Sequence, residues 1–207
     1  MTEKVWLTSY PEGIPHTLDF PEIPVQQFLT EAAQDVPDKV GLHFMGKEMT
    51  YKELHQSALK FANYLRSLGV EKGDRVAIYL PNCPQAVIAY FGTMYVGAIV
   101  VQTNPLYTER ELQYQMADSG AKVILSMDIL YLRVMKVIKE TQIENVIVTG
   151  IKDYLPFPKN LIYPFIQKKQ YGFSVKVEHS GSNHLFTEII KTGKATPVTD
   201  ETFDFEN

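Results

Sequence analysis

Between Arg75 and Thr149 four short apolar runs, RVAIYL, IVVQ, KVILS and NVIVT, alternate with longer segments whose apolar residues recur at helical spacing. Each run is too short for a helix and shows no polar alternation, so both of its faces need cover. Strands buried on both faces, each followed by an amphipathic helix, call for a doubly wound α/β fold: a mostly parallel sheet with helices on both faces. The joints carry their own signals. Thr50 and Glu53 stand at capping-box spacing before a stripe of Leu54, Ala58, Phe61, Leu65 and Leu68 that Gly69 closes. Thr108 and Glu111 repeat the device before a helix that ends at Ser119-Gly120. Asp128 to Glu140, with Leu130, Val134, Val137 and Ile138 on one side, predicts a further helix.

Upstream, Pro11, Pro15, Pro21 and Pro24 predict an extended arm over residues 1–24, whose Trp6, Tyr10 and Phe20 are expected to lie against something. Val25, Phe28, Leu29, Ala32 and Val36 share one helical face that Pro37 ends. Val40 to Met45 and the turn at Gly46-Lys47 predict a hairpin. The α/β unit is expected to run over residues 25–195, with an insertion at 151–180 and an acidic, unpatterned tail at 196–207. In the insertion, Tyr154 to Gln170 packs three prolines among aromatics and lysines. A helix covering the sheet edge is the favoured reading there, because prolines interrupt amphipathic periodicity. An interfacial membrane contact through its apolar residues with Lys159, Lys168 and Lys169 is the rival. His184 to Lys191, closed by Gly193, predicts a last short helix.

Charge and motif content exclude several functions. Twenty Lys+Arg against 24 Asp+Glu leave a net charge of -4, without the basic excess that a phosphate backbone requires, so nucleic acid is excluded as a partner. The single cysteine, Cys83, has no disulfide partner and no Cys or His at metal-ligand spacing nearby, which fits a reducing compartment. Met1 to Pro11 lacks an apolar signal core, so a cytoplasmic location is expected. Val76 to Thr108 carries no charge, yet its most apolar part, Ala86 to Val101, would span only about 24 Å as a helix against a hydrocarbon core of roughly 30 Å. It reads as a buried helix followed by a buried strand, Ile99 to Gln102. Neither glycine-rich phosphate loop occurs, nor H-E-x-x-H, an EF-hand loop or G-x-S-x-G. His43, His55 and His184 fall in or beside regular elements and His16 and His179 in loops, each read as a locally bonded imidazole. Cys83 at a helix start has no visible base, and Asp118, Asp128 and Glu144 read as solvated caps. The residues alone therefore give a fold and no active site.

Three stretches carry a resemblance. Met49 to Leu54 (MTYKEL) is similar to the first core motif, L-T-Y-x-E-L, of the adenylate-forming superfamily, and Met94 to Pro105 (MYVGAIVVQTNP) resembles its second. Asn104 to Leu125 resembles the stretch that follows, especially in the long-chain fatty acyl-CoA synthetase branch. With Gly69 to Pro84 added, the resemblance covers about Val25 to Thr149, and more weakly Leu185 to Gly193. It implies the N-terminal subdomain of a ligase that joins a fatty acid to CoA through an acyl-adenylate, using ATP and Mg²⁺. It also implies a phosphate loop and later acidic, Arg and Lys motifs, none of which is in this sequence. Asp204 to Asn207 falls about where the family enters the strand leading to that loop, so the chain is expected to be an inactive N-terminal piece of a longer ligase. Its expected partners are the remainder of its own polypeptide, the fatty acid and CoA, with a homodimer and a peripheral membrane contact as further expectations. Thr50, Tyr51, Glu53, Leu54, Gly97, Asn104 and Pro105 match motif positions and are read as structural, and no catalytic residue is assigned. Gln85 to Val96 with the strand from Ile99 could wall an acyl tunnel, although core packing is the default for such segments. The rivals are an aryl or luciferase-like adenylating enzyme, and a non-catalytic module that dimerises or docks to membrane.

Overall fold

The computed structural model describes residues 4–172, 177 and 181–198. Helix α1 (Val25–Asp35) leads into a hairpin of β1 (Val40–Phe44) and β2 (Lys47–Thr50), which pair antiparallel. Thr50 ends β2 and caps α2 (Tyr51–Ser67): its side chain accepts from the Glu53 N–H while the Glu53 carboxylate accepts from the Thr50 N–H. The four apolar runs are β3 (Arg75–Tyr79), β4 (Ile99–Gln102), β5 (Val123–Met127) and β6 (Asn145–Thr149). Between them lie α3 (Pro84–Tyr95), α4 (Glu109–Ser119) and α5 (Tyr131–Val137). After α6 (Lys159–Tyr171) come β7 (Asn183–Leu185) and α7 (Phe186–Thr192). The strands β4-β3-β5-β6-β7 form one sheet in that order, every neighbouring pair parallel.

Because successive strand residues face opposite ways, each strand feeds two cores. Val76, Ile78, Val123, Leu125, Met127 and Ile147 meet α2, α3 and α7 through Phe61, Leu65, Ile88 and Phe186. Ala77, Tyr79, Ile124, Val146 and Val148 meet α4 and α5 through Leu112, Met116, Val134 and Val137. The fold is doubly wound, as the alternation of runs and helices predicts. The closest packing is between α2 and α3. A Cβ on Gly92 would lie 2.8 Å from the Ala58 carbonyl and 2.9 Å from the Phe61 ring, so only glycine fits there without a shift. Arg75, at the start of β3, donates to the Ser119 and Gly120 carbonyls at 2.9 and 3.0 Å and so closes the end of α4.

Several elements depart from expectation. Ile99 to Gln102 is an edge strand rather than a buried one, since β3 pairs with it on one side only and Ile99 is 53% exposed. His184 stands in β7, not in a helix, because pairing with β6 draws residues 183–185 into the sheet before α7 begins. Asp128 to Glu140 is divided into a 3-10 turn, α5 and a second 3-10 turn. On α1 the buried residues are Gln26 and Leu29, whereas Val25 and Phe28 are exposed. Val5 to Ser9 is a 3-10 turn within the arm, and Trp6, Tyr10 and Phe20 are exposed rather than packed. The Tyr154 to Gln170 stretch does contain a helix, which runs through Pro164, but it packs chiefly on the 3-10 turn Ile151–Tyr154 instead of covering the edge strand β7. His179 and residues 199–207 of the expected tail lie outside the described residues.

Candidate functional site

In doubly wound sheets a crevice opens beyond the carboxyl ends of the strands where successive connections leave to opposite faces. Here that point lies between β3, whose chain departs into α3 on one face, and β5, whose chain departs into α5 on the other. Two clefts flank it.

The first, of about 370 Å³, lies between the hairpin and the carboxyl ends of β3 and β4. Leu42, Phe44, Leu80 and Val87 supply apolar walls, and His43, Asn82, Tyr90 and Gln102 supply a few polar groups. A cleft of this size and lining suits a small, mostly apolar ligand. Cys83 sits at the head of α3 with Pro84 in the first turn, and burial pushes its thiol above the ordinary value despite hydrogen bonds from the Ala86 and Gln85 N–H groups. A buried thiol held protonated is a wall, not a nucleophile.

The second cleft, about 200 Å³, lies at the ends of β6 and β7 among Asp128, Thr149, Gly150, Lys152, Asp153 and Thr187. A buried network supports it. Gln85, wholly buried in the first turn of α3, donates through Nε2 to Thr149 Oγ1 at 3.1 Å and to the Gly150 carbonyl at 2.9 Å. Asp153 in turn accepts from the Gly150 N–H at 2.8 Å and from the Thr149 hydroxyl at 3.2 Å. Asp128 accepts from the Ile129 N–H and from Gln167, and burial raises its carboxyl above the ordinary range despite both bonds. The expectation of a solvated cap fails for Asp128, because α6 returns across it. It holds for Asp118 and Glu144, which are exposed.

The motif positions do not converge. Thr50 and Glu53 close the capping box, Leu54 is core, and the Tyr51 ring covers Gly41 so closely that a Cβ there would lie 2.9 Å from it. Gly97 takes a φ of +70° at the opposite end of the sheet, where its carbonyl accepts from the Gly73 N–H. Asn104 Oδ1 accepts from the Leu106 N–H at 3.0 Å and its carbonyl accepts from the Tyr107 N–H, a turn that Pro105 stiffens. That turn is anchored by Arg133, which donates to the Tyr79 hydroxyl and, at 2.6 Å, to the Tyr107 carbonyl. Among the histidines, buried His184 bridges the Tyr64 hydroxyl and Asn145 Oδ1, each at 2.9 Å, and burial lowers His55 beside Tyr95. Neither stands beside a nucleophile.

Gln85, Thr149 and Asp153 were not among the sequence candidates. The available signal was Gln85 itself, an amide in the first turn of a charge-free apolar helix, which requires a fixed partner. The arrangement does not fit a nucleotide triphosphate or its Mg²⁺. The Thr50 and Thr108 N–H groups that precede α2 and α4 donate to the Glu53 and Glu111 carboxylates, the Tyr51 and Lys52 N–H groups donate to the Lys39 and Pro37 carbonyls, and the Gly150 N–H after β6 donates to Asp153. An anion is thus repelled where helix ends would attract it. Among the described residues no group of three or more His, Cys, Asp or Glu converges as metal ligands.

The profile of the AMP-binding enzyme family matches residues 29–197. The chain is 42% identical over 206 residues to a long-chain-fatty-acid–CoA ligase of Bacillus subtilis, covering 100% of this chain and 36% of that protein. It is 39% identical over 168 residues to a ligase of the same name from Yersinia pestis, 80% of this chain and 30% of that one. The chain therefore spans about a third of the length of these relatives. Among solved structures, a long-chain-fatty-acid–CoA ligase from Archaeoglobus fulgidus superposes with a TM-score of 0.67 at 22% identity, over 90% of this chain and 33% of that one. A benzoate CoA ligase from Burkholderia xenovorans gives 0.62 at 21%, over 83% and 29%. The structures match the fold, and the family profile extends over most of the sequence. The chain belongs to the AMP-binding enzyme family.

Proposed function

We propose that the gene product carrying this chain is a long-chain-fatty-acid–CoA ligase acting in the cytoplasm on ATP, a fatty acid and CoA, with Mg²⁺. The observation that carries this reading is the 42% identity to the Bacillus subtilis ligase across all of this chain. In the reaction the fatty carboxylate displaces pyrophosphate from ATP, and the CoA thiol then displaces AMP from the acyl-adenylate. Nothing in this chain's own geometry performs either displacement. Its contribution is scaffold: two capped helices, a rigid parallel sheet, and an apolar cleft of about 370 Å³ that offers a wall for an acyl chain. The unpaired, buried Cys83 supports the reducing compartment.

The test is ATP–pyrophosphate exchange and CoA-thioester formation by the complete gene product, with long-chain fatty acids and aryl acids compared. Exchange driven by long-chain acids is expected. Exchange driven by aryl acids alone would replace this reading with an aryl ligase, and exchange with neither would leave a non-catalytic module.

A further inference from the structure

We propose, on the ligase reading above, that Gln85 is a positioning residue for the fatty acyl chain: its buried amide ties the carboxyl end of the sheet together and so sets the α3 wall of the 370 Å³ cleft. Gln85 follows Pro84 in the first turn of α3, the helix that leaves β3, whereas its partners are Thr149 at the end of β6 and Gly150 just after it. In the order β4-β3-β5-β6-β7 those two strands are not neighbours, so the amide reaches across the end of β5. Its orientation is fixed. Thr149 gives its hydroxyl proton to Asp153 and the Gly150 carbonyl has none to give, so only the NH₂ side of the amide can face both. The Gly150 N–H donates to the same Asp153 carboxylate at 2.8 Å, which anchors the receiving end of the tie. Gln85, Thr149 and Gly150 are all buried within this chain, so the tie does not depend on what the rest of a longer polypeptide covers.

Packing alone does not call for an amide at this place. α3 carries no charge and lies on an apolar core, where an apolar side chain of similar length would be buried as well and leave no polar group to satisfy. What the amide adds is direction. Hydrogen bonds at 2.9 and 3.1 Å fix both the height and the rotation of the helix head, which dispersion contacts leave adjustable. That setting is expressed on the cleft side. Gln85 itself stays out of the cleft, yet Asn82 and Cys83 before it and Ala86 and Val87 after it line it, opposite Phe44 of the hairpin. Among the described residues of the lining there is no Asp, Glu, Lys or Arg, so acyl chains are told apart there by fit, and one methylene is worth about tenfold or more. A wall displaced by part of a methylene's length changes which chain fits.

The test is steady-state kinetics of the complete gene product on saturated fatty acids of graded length. Two variants are compared with the parent: Gln85→Met, which keeps the side chain's length and removes its donors, and Thr149→Val, which removes one acceptor and leaves Gln85 in place. Each should raise KM for the acid the parent prefers about tenfold and move the preferred length, with KM for ATP and for CoA within about twofold of the parent. A purely structural role would lower kcat for every acid in step with the folded fraction and keep the order of preference, and that result overturns the proposal. Thermal midpoints verify folding. If Gln85→Met does not fold, Thr149→Val, which conserves shape, decides by the same shift in KM and preferred length. A parent active on fatty acids whose variants keep its length profile overturns this proposal alone. A parent inactive on every fatty acid overturns the ligase reading and this inference with it.

Discussion

Two aspartates at the sheet's ends are set in opposite directions by their surroundings. Burial pushes Asp74 up, but the Lys122 ammonium at 2.7 Å, the Glu71 N–H and the charges of Lys122 and Arg75 together hold it below the ordinary carboxylate value. Its stabilising effect is therefore present above that ordinary value and is lost as pH falls through the folded one. Asp128 is the reverse. Raised first by burial, it favours the fold below the ordinary carboxylate value and loses that contribution as pH rises through its higher folded value. Asp128→Asn keeps an Oδ1 acceptor for Ile129 and Gln167 while removing the buried charge. Its thermal midpoint should equal or exceed the parent's at neutral pH, with the difference shrinking toward acid pH. A lower midpoint at neutral pH would show that the carboxylate is needed as a charge. Asp74→Asn should lower the midpoint at neutral pH and flatten the acid limb of the same profile. The sequence could not separate these two residues. Each precedes or follows an apolar run, and what distinguishes them is a partner 48 residues away for one, Lys122, and 39 away for the other, Gln167.

The helices were the most legible elements because their ends are chemically marked. Both capping boxes form as the Thr-x-x-Glu spacing predicts, so Thr50→Ala and Thr108→Ala should each cost about 1 kcal/mol in denaturant unfolding. Lying on different helices, the two should add when combined. Contacts between elements were not legible. Gly92 reads in sequence as a weak helix position whose replacement by alanine should help by roughly 1 kcal/mol. In the fold its missing Cβ lets α3 approach the Ala58 carbonyl, so Gly92→Ala should instead destabilise by about 1–3 kcal/mol. A stabilised Gly92→Ala protein would show that α2 and α3 move apart at little cost. β7 and the edge position of β4 escaped the sequence for the same reason: three residues around His184 carry no periodicity, and an apolar run does not say how many neighbours it has. The network of Gln85, Thr149 and Asp153 joins three segments more than 60 residues apart at its widest, which no local pattern encodes.

For the whole molecule, the boundary between scaffold and chemistry follows from where its free amides go. With a glutamate carboxylate already bonded at the N-termini of α2 and α4, and the first amides of α2 paired with the Lys39 and Pro37 carbonyls, the 207-residue chain by itself should show no fatty-acid-dependent ATP–pyrophosphate exchange. Exchange at ligase-like rates from the pure chain would place a nucleotide site here after all. The sheet order has another consequence, at the ribosome. β3 emerges first, β4 joins one side and β5 the other, then β6 joins β5 and β7 joins β6, so every strand finds its neighbour already synthesised. The sheet can thus assemble during translation without waiting for distant sequence. One pause is built in: 33 residues separate the end of β6 at Thr149 from the start of β7 at Asn183. At typical elongation rates that leaves the β6 edge bare for roughly two to seven seconds in each round of synthesis, an interval in which a nascent chain is open to holdase chaperones.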